Sequence, residues 1–329
     1  MPSTSTRRPT SGGVVVSVAL TPSTLGRGPS AGHPVFRSAQ RRRPVCSNGA
    51  VGRVTTRVPR TRVDLGRALV DRRPDTVAVE EPLEVRVDGQ PVTTTMRTPG
   101  DDFDLALGHL LTEGMVASAH DVATMMHCTD VGPDGSPTFN VVEAALSPGV
   151  SLLRPARERT ETMTSACGVC GSASLDAVRT ASRFDVAADT VRVEASVLAG
   201  LPDALRTHQA TFERTGGVHA AGIADADGTL LAVREDVGRH NAVDKVIGGL
   251  ARERELPLAG SVLVVSARAS FEIVQKAAVA GIPVVVAVGA ATSLAVELAA
   301  DAGITLAAFA REGRISLYTR PDRVPDPTA

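Results

Sequence analysis

The stretch "SVLVVSARASFEIVQKAAVAGIPVVVAVGA", residues 261–290, decides the fold class. Two short and continuous apolar runs, "VLVV" and "IPVVVAV", flank an amphipathic segment that ends at Gly281. Uninterrupted apolar strands that alternate with helices are typical of a sheet covered on both faces. The stretch therefore predicts a strand, a helix and a second strand of an α/β domain with a largely parallel, three-layer architecture.

The same alternation continues on both sides of this stretch, so we predict a C-terminal domain over residues 189–329. Helical patterns near 197–211, 241–250 and 292–303 alternate with strand patterns. Those strand patterns are "TGGVHAAGIAD", "TLLAVRED", "ITLAAFA" and "RISLYT".

Residues 61–150 predict a smaller α+β domain. In "LEVRVDGQPVTTTM" polar and apolar positions alternate around Asp88-Gly89, which is a hairpin signal. "TPGDDFDLALGHLLTEG" predicts a helix with acidic residues in its first turn and Gly114 at its end. "VATMMHC" and "TFNVVEAAL" predict two further strands.

Two segments outside these domains lack periodicity. Residues 1–60 contain ten Arg and no Asp or Glu, so a chain of net charge −1 divides into +10 here and −11 beyond. We predict that residues 1–60 form a disordered, Arg-rich tail. Residues 151–188, which carry "CGVCG", are predicted to be a mobile CxxC-bearing loop and linker.

Composition excludes several classes of protein. The chain has no Trp and one Tyr, which argues against nucleic-acid binding by stacked aromatic side chains. No uncharged apolar run reaches the roughly 20 residues that span a membrane. Four unevenly spaced cysteines, 46, 128, 167 and 170, suit a reducing compartment. We therefore expect a cytoplasmic protein that binds neither nucleic acid nor a membrane.

Four polar loops follow strands of the predicted C-terminal sheet: "REDVGRHN", "SARAS", "GAATS" and "FAREGR". Carboxyl ends of strands meet at one edge, where helix N-termini offer N–H groups to ligands. Guanidinium and hydroxyl groups suit phosphate or pyrophosphate, although a charged loop is often only solvated. We predict an anion site with these candidate residues: His219, Arg239, His240, Lys245, Ser266, Arg268, Arg311 and Arg314. Asp236 and Glu235 are expected to hold Arg239 and Lys245 in place.

The pair Cys167 and Cys170 leaves three chemical interpretations open. A structural zinc site needs four ligands, and the remaining cysteines are isolated. A thioredoxin-like pair belongs at a strand-to-helix turn, whereas this pair lies in a Gly-rich segment. A zinc deaminase is disfavoured because Ala221 stands where its catalytic Glu is required. The remaining interpretation, a nucleophilic thiol on a movable segment, fits best, with no permanently bound metal.

Seven segments together resemble the FdhD family of formate dehydrogenase accessory sulfurtransferases. The resemblance covers about residues 75–320 and is most specific in "EDVGRHNAVDK". The segments are "TPGDDFDLALGHLLTEG", "CGVCG", "TGGVHAAG", "REDVGRHNAVDKVIG", "SARASFEIVQKAAVAGIP", "TSLAVELA" and "GITLAAFAREGRISLYT".

The resemblance implies a specific activity. Members of this family take persulfide sulfur from a cysteine desulfurase and pass it to molybdenum (or tungsten) in the bis-guanine-dinucleotide pterin cofactor, which activates formate dehydrogenase. It also implies a cytidine-deaminase-like C-terminal domain, a homodimer, and Cys167 as persulfide carrier with Cys170 as its partner. The family's cofactor segment maps onto Phe309, Ala310, Arg311, Glu312, Gly313 and Arg314. The alternative is a chaperone that binds and delivers the cofactor without carrying sulfur.

Three positions depart from the pattern expected of the family. His109 stands in place of an aromatic residue, Ala267 in place of Gly, and Ala291 in place of Pro. We expect the first to affect a packing face. The Cβ atom of Ala267 is expected to crowd a phosphate, and the loss of Pro at 291 to loosen a turn.

Overall fold

The computed structural model describes residues 18–19, 53–128, 139–153 and 182–326. Cys46, Cys167 and Cys170 lie outside the described residues, as do most of the predicted tail and most of the predicted 151–188 loop. Within the described ranges, no helix has both the length and the apolar character needed to cross a bilayer.

A six-stranded sheet forms the centre of the C-terminal part, with strand order β13-β12-β11-β10-β8-β9. Its strands are β8 His219–Ala224, β9 Leu230–Asp236, β10 Val262–Val265, β11 Val284–Ala287, β12 Thr305–Arg311 and β13 Arg314–Thr319. Only β10–β11 and β11–β12 pair in parallel, so the expectation of a largely parallel sheet is wrong. Short hairpin turns join β8 to β9 and β12 to β13, and such turns connect antiparallel strands.

Helices cover both faces of this sheet, which confirms the α/β class and gives three layers. One face packs against α4 (Arg239–Ala251), α5 (Phe271–Ala280) and α6 (Ser293–Asp301). The other face packs against α2 (Ala195–Arg206), and the short α3 (Ala210–Thr215) follows α2. Along β10, Leu263 and Val265 pack in the apolar cluster on the face covered by α4, α5 and α6. Val262 and Val264 pack in the apolar cluster on the face covered by α2. This alternation is the period of two that a buried strand requires.

A second sheet, of five strands in the order β1-β6-β7-β4-β5, builds the N-terminal part. Its strands are β1 Val18–Ala19, β4 Glu81–Val87, β5 Gln90–Arg97, β6 Val122–Cys128 and β7 Val141–Leu146. Asp88 and Gly89 both have positive φ, which confirms the predicted hairpin turn between β4 and β5. The predicted helix is present as α1 (Asp102–Thr112), and its apolar residues cover this sheet.

A hairpin precedes these sheets and was not expected from the sequence. Strands β2 (Thr55–Asp64) and β3 (Leu69–Ala78) pair only with each other, and we call this hairpin the β2–β3 arm. The expected boundary at residue 60 therefore falls inside a strand, and β1 also lies within the predicted tail. The arm was missed because its residues are mostly exposed, so no apolar face marks its strands.

The N-terminal and C-terminal parts meet where α1 crosses α4. A Cβ atom on Gly108 of α1 would overlap the backbone carbonyl of Asp244, and one on Gly248 of α4 would overlap the carbonyl of Asp104. Asp104 also accepts hydrogen bonds from Arg234 at 2.8 Å and from Arg252 at 3.1 Å. The two helix backbones therefore touch, and charged side chains form ion pairs beside the contact.

We expect Gly248→Ala to destabilise the fold, because the added methyl group forces the two helices apart. Overpacking of this kind costs about 1–3 kcal/mol. Gly200→Ala is the matched control, since Gly200 is an exposed helical glycine with open space around its Cβ position. It should stabilise α2 by about 0.5–1 kcal/mol. Urea unfolding measures both changes, and equal midpoints for the two variants would contradict the tight crossing.

Candidate functional site

The predicted polar loops meet at one edge of the six-stranded sheet, which we call the ligand edge. His219, the first residue of β8, lies opposite Asp236 at the end of β9. Ser266 follows β10, and its backbone N–H donates to the carbonyl of Ala220 at 3.0 Å. Phe309 donates from its N–H to the carbonyl of Gly289 at 3.0 Å. Residues from four loops are thus held side by side, as the sequence predicted.

Helix α4 begins at the ligand edge with Arg239 and His240. Nε2 of His240 lies 2.6 Å from Oε2 of Glu272, in the first turn of α5. The close contact with His240 lowers the pKa of Glu272, and burial opposes this only in part. The pair therefore ties the first turns of two neighbouring helices together.

His219 lies beside these cations and is half-buried. Burial lowers the pKa of His219, and the charges of Arg239 and His240 lower it further. Asp236 acts in the opposite direction but does not compensate. His219 is therefore a neutral imidazole at neutral pH, able to accept a proton or a hydrogen bond but not to act as a fixed cation.

Ser266 and Arg268 occupy the loop between β10 and α5. Oγ of Ser266 accepts a hydrogen bond from the N–H of Ala220 at 2.9 Å, so this hydroxyl also holds the loop to β8. Arg268 is exposed, and its Cα and Cγ lie so close to Gly289 that a Cβ there would come within 3.1 Å of them. The glycine thus permits two ligand-edge loops to lie against each other.

The segment Phe309–Arg314 joins β12 to β13 beyond the ligand edge. Phe309 is 40% exposed and has φ 52°, a left-handed backbone that a bulky residue adopts at a cost of about 1–3 kcal/mol. Glu312 and Gly313 also have positive φ and form the hairpin turn, so that Arg311 and Arg314 stand opposite each other. Arg314 pairs with Glu312. Ala310 is fully buried, so its methyl group packs in the core instead of meeting a ligand.

Three enclosed polar atoms at the ligand edge make no hydrogen bond to the described residues. They are Nε of Arg239, Oγ of Ser270 and Nε2 of His240, whose contact with Glu272 is an ion pair only. The N-cap residues Ser270 of α5 and Thr292 of α6 make no side-chain hydrogen bond to their first turns, and Gly238 at the start of α4 has no side chain to make one. Unpaired enclosed donors are costly, and a bound anion would satisfy them.

Lys245 is not a ligand-edge residue, which corrects the prediction. Its side chain is 1% exposed, and its Nζ lies 2.7 Å from Oδ2 of Asp236 and donates to the carbonyl of Thr98 at 2.8 Å. The predicted role of Asp236 in holding Lys245 is confirmed. Glu235 instead accepts from the backbone N–H groups of Thr211 and Phe212, each at 2.8 Å. Lys245 was misplaced because its position in α4, one and a half turns from the loop, directs it towards the N-terminal part.

The other lysine, Lys276, is likewise buried between the two parts of the chain. Its Nζ lies 2.9 Å from Asp244 and 3.4 Å from Glu113, and it donates to Oγ1 of Thr112 at 3.0 Å. Burial by itself raises the pKa of Asp244, but Lys276 and His109 outweigh burial and hold the pKa at about 2. His109, one of the atypical positions, thus serves this cluster, with Nδ1 3.8 Å from Asp244.

The other two atypical positions do not have the expected effects. Ala267 is 7% exposed and belongs to the apolar cluster beneath the sheet, so its Cβ points away from an exposed ligand. Ala291 pairs with Ala269 in a parallel bridge, and Thr292 donates to the carbonyl of Ala269 at 3.1 Å. The turn at 291 is therefore held without proline.

We expect Asp244→Asn to change how stability depends on pH. The lowered pKa of Asp244 contributes stability above its ordinary value of 3.8 that is lost as pH falls towards about 2. This contribution is on the order of 2 kcal/mol. The variant should be less stable at pH 7 and should show a flatter decline between pH 4 and 2.

Urea unfolding across that pH range tests the expectation, with Asp203→Asn as the control because Asp203 is exposed on α2. Parallel stability curves for the native chain and Asp244→Asn would contradict it.

Within the described ranges, no group of three or more His, Cys, Asp or Glu side chains is arranged to hold a metal ion. Glu272 was missed by the sequence analysis. Its only signal was an acidic residue in the first turn after "SARAS", a position equally typical of an ordinary helix start.

Known proteins resemble this chain over most of its length. "Sulfur carrier protein FdhD" from Mycolicibacterium paratuberculosis is 52% identical over 273 residues, covering 82% of this chain and 99% of its own. The protein of that name from Streptomyces coelicolor is 52% identical over 276 residues, covering 83% and 97%. The one from Mycobacterium tuberculosis is 54% identical over 255 residues, covering 77% and 92%.

A solved structure shares the fold. A crystal structure described as that of a formate dehydrogenase accessory protein from Desulfotalea psychrophila matches with a TM-score of 0.60 at 20% identity. The match covers 83% of this chain and 100% of that one. A family model described as the FdhD/NarQ family matches residues 78–325, which is the whole of both sheets except β1. The chain therefore belongs to the FdhD/NarQ family.

Proposed function

We propose that the chain is a sulfur carrier. It takes persulfide sulfur from a cysteine desulfurase and passes it to molybdenum (or tungsten) in a bis-guanine-dinucleotide pterin that serves a formate dehydrogenase. The observation that carries this proposal is the ligand edge, where arginines and enclosed, unpaired donors await an anion. Its relatives named as sulfur carriers add support.

The ligand edge has the chemistry that a guanine dinucleotide needs. The pyrophosphate of each dinucleotide is held by guanidinium groups and helix N-termini: Arg239 and His240 at the start of α4, Arg268 after β10, and Arg311 with Arg314 beyond β12. Phe309 offers the exposed ring on which a guanine or pterin plane stacks. The metal is cargo, bound through the pterin.

Cys167 carries the sulfur and Cys170 releases it. The Cys167 thiolate attacks the terminal sulfur of the desulfurase persulfide, which frees the desulfurase thiol and needs no oxidant. Cys170 then attacks the inner sulfur of the Cys167 persulfide. The Cys167–Cys170 bond forms as the bond to the terminal sulfur breaks, so the two cysteine sulfurs are oxidised to a disulfide and the terminal sulfur leaves with the electron pair as hydrosulfide. Cellular thiols reduce the disulfide before the next cycle.

The described residues on either side of the cysteines set how far they can reach. Leu153 donates from its N–H to the carbonyl of Met115 at 2.9 Å, and Oγ of Ser182 donates to the carbonyl of Ala278 at 3.1 Å. Ala278 lies near the end of α5, about 11 Å from its ligand-edge start. The chain from Ser182 to Cys170 can extend to about 40 Å. The proposed delivery to the ligand edge is therefore within reach in one subunit, or between the subunits of the homodimer that the family resemblance implies.

We expect Cys167→Ala to abolish restoration of formate dehydrogenase activity in a strain that lacks its own accessory protein, because the thiol that accepts the persulfide sulfur is removed. Cys46→Ala is the matched control and should restore activity fully. Mass spectrometry after incubation with a cysteine desulfurase and cysteine should find one added sulfur atom on the native chain and on Cys46→Ala, but not on Cys167→Ala. Full activity of Cys167→Ala would exclude persulfide transfer through this residue. A native chain that supports activity but never gains sulfur would favour the cofactor-binding chaperone.

We expect Arg311→Ala combined with Arg314→Ala to weaken the affinity for guanosine diphosphate by about ten- to hundredfold. Each substitution removes a guanidinium group and its charged hydrogen bond to phosphate. Titration calorimetry measures the affinity. Arg57→Ala combined with Arg72→Ala removes the same charge from the exposed β2–β3 arm and serves as control. Equal affinities for the two double variants would place the nucleotide elsewhere.

A further inference from the structure

We propose that Glu272 is a positioning residue of the ligand edge, whose carboxylate holds the imidazole of His240 as a hydrogen-bond donor to a pyrophosphate oxygen. The proposal rests on the function proposed above and extends it to a residue that no prediction or comparison singled out. The proposal gives Glu272 a role in anion binding even though Glu272 and the anion are both negatively charged.

The geometry of the pair carries the proposal. Nε2 of His240 and Oε2 of Glu272 are 2.6 Å apart, and Nε2 itself is enclosed by protein. The contact is that of an ion pair and not an aligned hydrogen bond, so Glu272 holds the ring by its charge at that nitrogen. A histidine held in this way has its other nitrogen, Nδ1, left for a ligand. The arrangement parallels the carboxylate that orients a histidine in metal sites and in hydrolases.

The surroundings explain why such a partner is needed. His240 faces the neutral imidazole of His219 on β8 and follows Arg239, and it lies at the positive end of the α4 dipole. Arg239 and the helix dipole therefore surround His240 with positive potential. The carboxylate of Asp236 does not offset it, because Asp236 is paired with Lys245. Glu272 is the carboxylate that meets His240 directly, and Lys276 and Arg239 keep Glu272 ionised through space. An ionised Glu272 thus places a negative charge directly against the His240 ring.

An ordinary helix-start role for Glu272 predicts the opposite effect on binding. In that case Glu272 only stabilises the positive end of α5, and its charge repels the phosphates of a nearby nucleotide. Removal of the charge would then strengthen nucleotide binding. Under the positioning role, removal weakens binding, because the loss of an ordered His240 donor outweighs the relief of repulsion. The sign of the change separates the two.

The test measures the affinity of the full chain for guanosine diphosphate by titration calorimetry. We expect Glu272→Gln to weaken binding about tenfold, and Glu272→Asp, which keeps the charge but shortens the side chain, to weaken it in the same direction. Glu297→Gln on α6 removes an exposed carboxylate and should change the affinity by less than about twofold. Unchanged or tighter binding by Glu272→Gln would overturn the proposal.

A double-mutant cycle makes the mechanism specific. In a His240→Asn background, Glu272→Gln should cause no further loss of affinity, whereas independent roles would give additive losses. Nitrogen-detected NMR of the His240 ring supplies a readout that needs no ligand, because Glu272→Gln should change the ring nitrogen shifts of the free chain. An unchanged ring spectrum would refute the positioning role. If the native chain binds no guanosine diphosphate but its His240 spectrum responds to Glu272→Gln, the proposed function is refuted. The positioning of the His240 ring by Glu272 is then still supported.

Discussion

The backbone contact between α1 and α4 constrains the rest of the molecule. Gly108 and Gly248 let the helices touch, and this brings carboxylates of one part within reach of cations of the other. Asp104 of α1 pairs with Arg234 and Arg252, and Glu113 meets the buried Lys276, since a buried charge is tolerated only when it is paired. Because glycines and ion pairs both specify one relative placement, the two sheets are joined as a single unit.

This contact also determines where the ligand edge can be. Helix α4 carries the crossing glycine in its second half and the candidate anion ligands Arg239 and His240 in its first turn. Fixing the middle of the helix therefore fixes the direction in which its N-terminus points. The pair formed by His240 and Glu272 then connects α4 to α5, so that two helix starts present their N–H groups side by side. A strongly charged site needs such rigid support, since cations repel one another when no ligand is present.

The sequence predicted those features that depend on local pattern. Alternation and apolar runs located β4, β5 and β10, and turn chemistry located Asp88-Gly89. The convergence of the polar loops followed from the rule that strand ends share an edge. The burial of Lys245 against Thr98 and the pairing of Glu272 with His240 depend on partners far apart in sequence, which no local pattern encodes. The arm was missed for a related reason, because exposed strands carry no signature of burial.

The β2–β3 arm is a place where the chain can accept an insertion. Its strands are bonded only to each other, and the family match begins at residue 78, where β3 ends. Val58, Val63, Leu65, Leu69 and Val70 are exposed along it, so its loss would uncover little of either core. Pro59 and Pro74 face each other across the ribbon and interrupt the free edges that would otherwise recruit foreign strands. An affinity handle or a reporter module inserted at Gly66, in the exposed turn of the arm, would therefore be tolerated by the framework that holds the arginines.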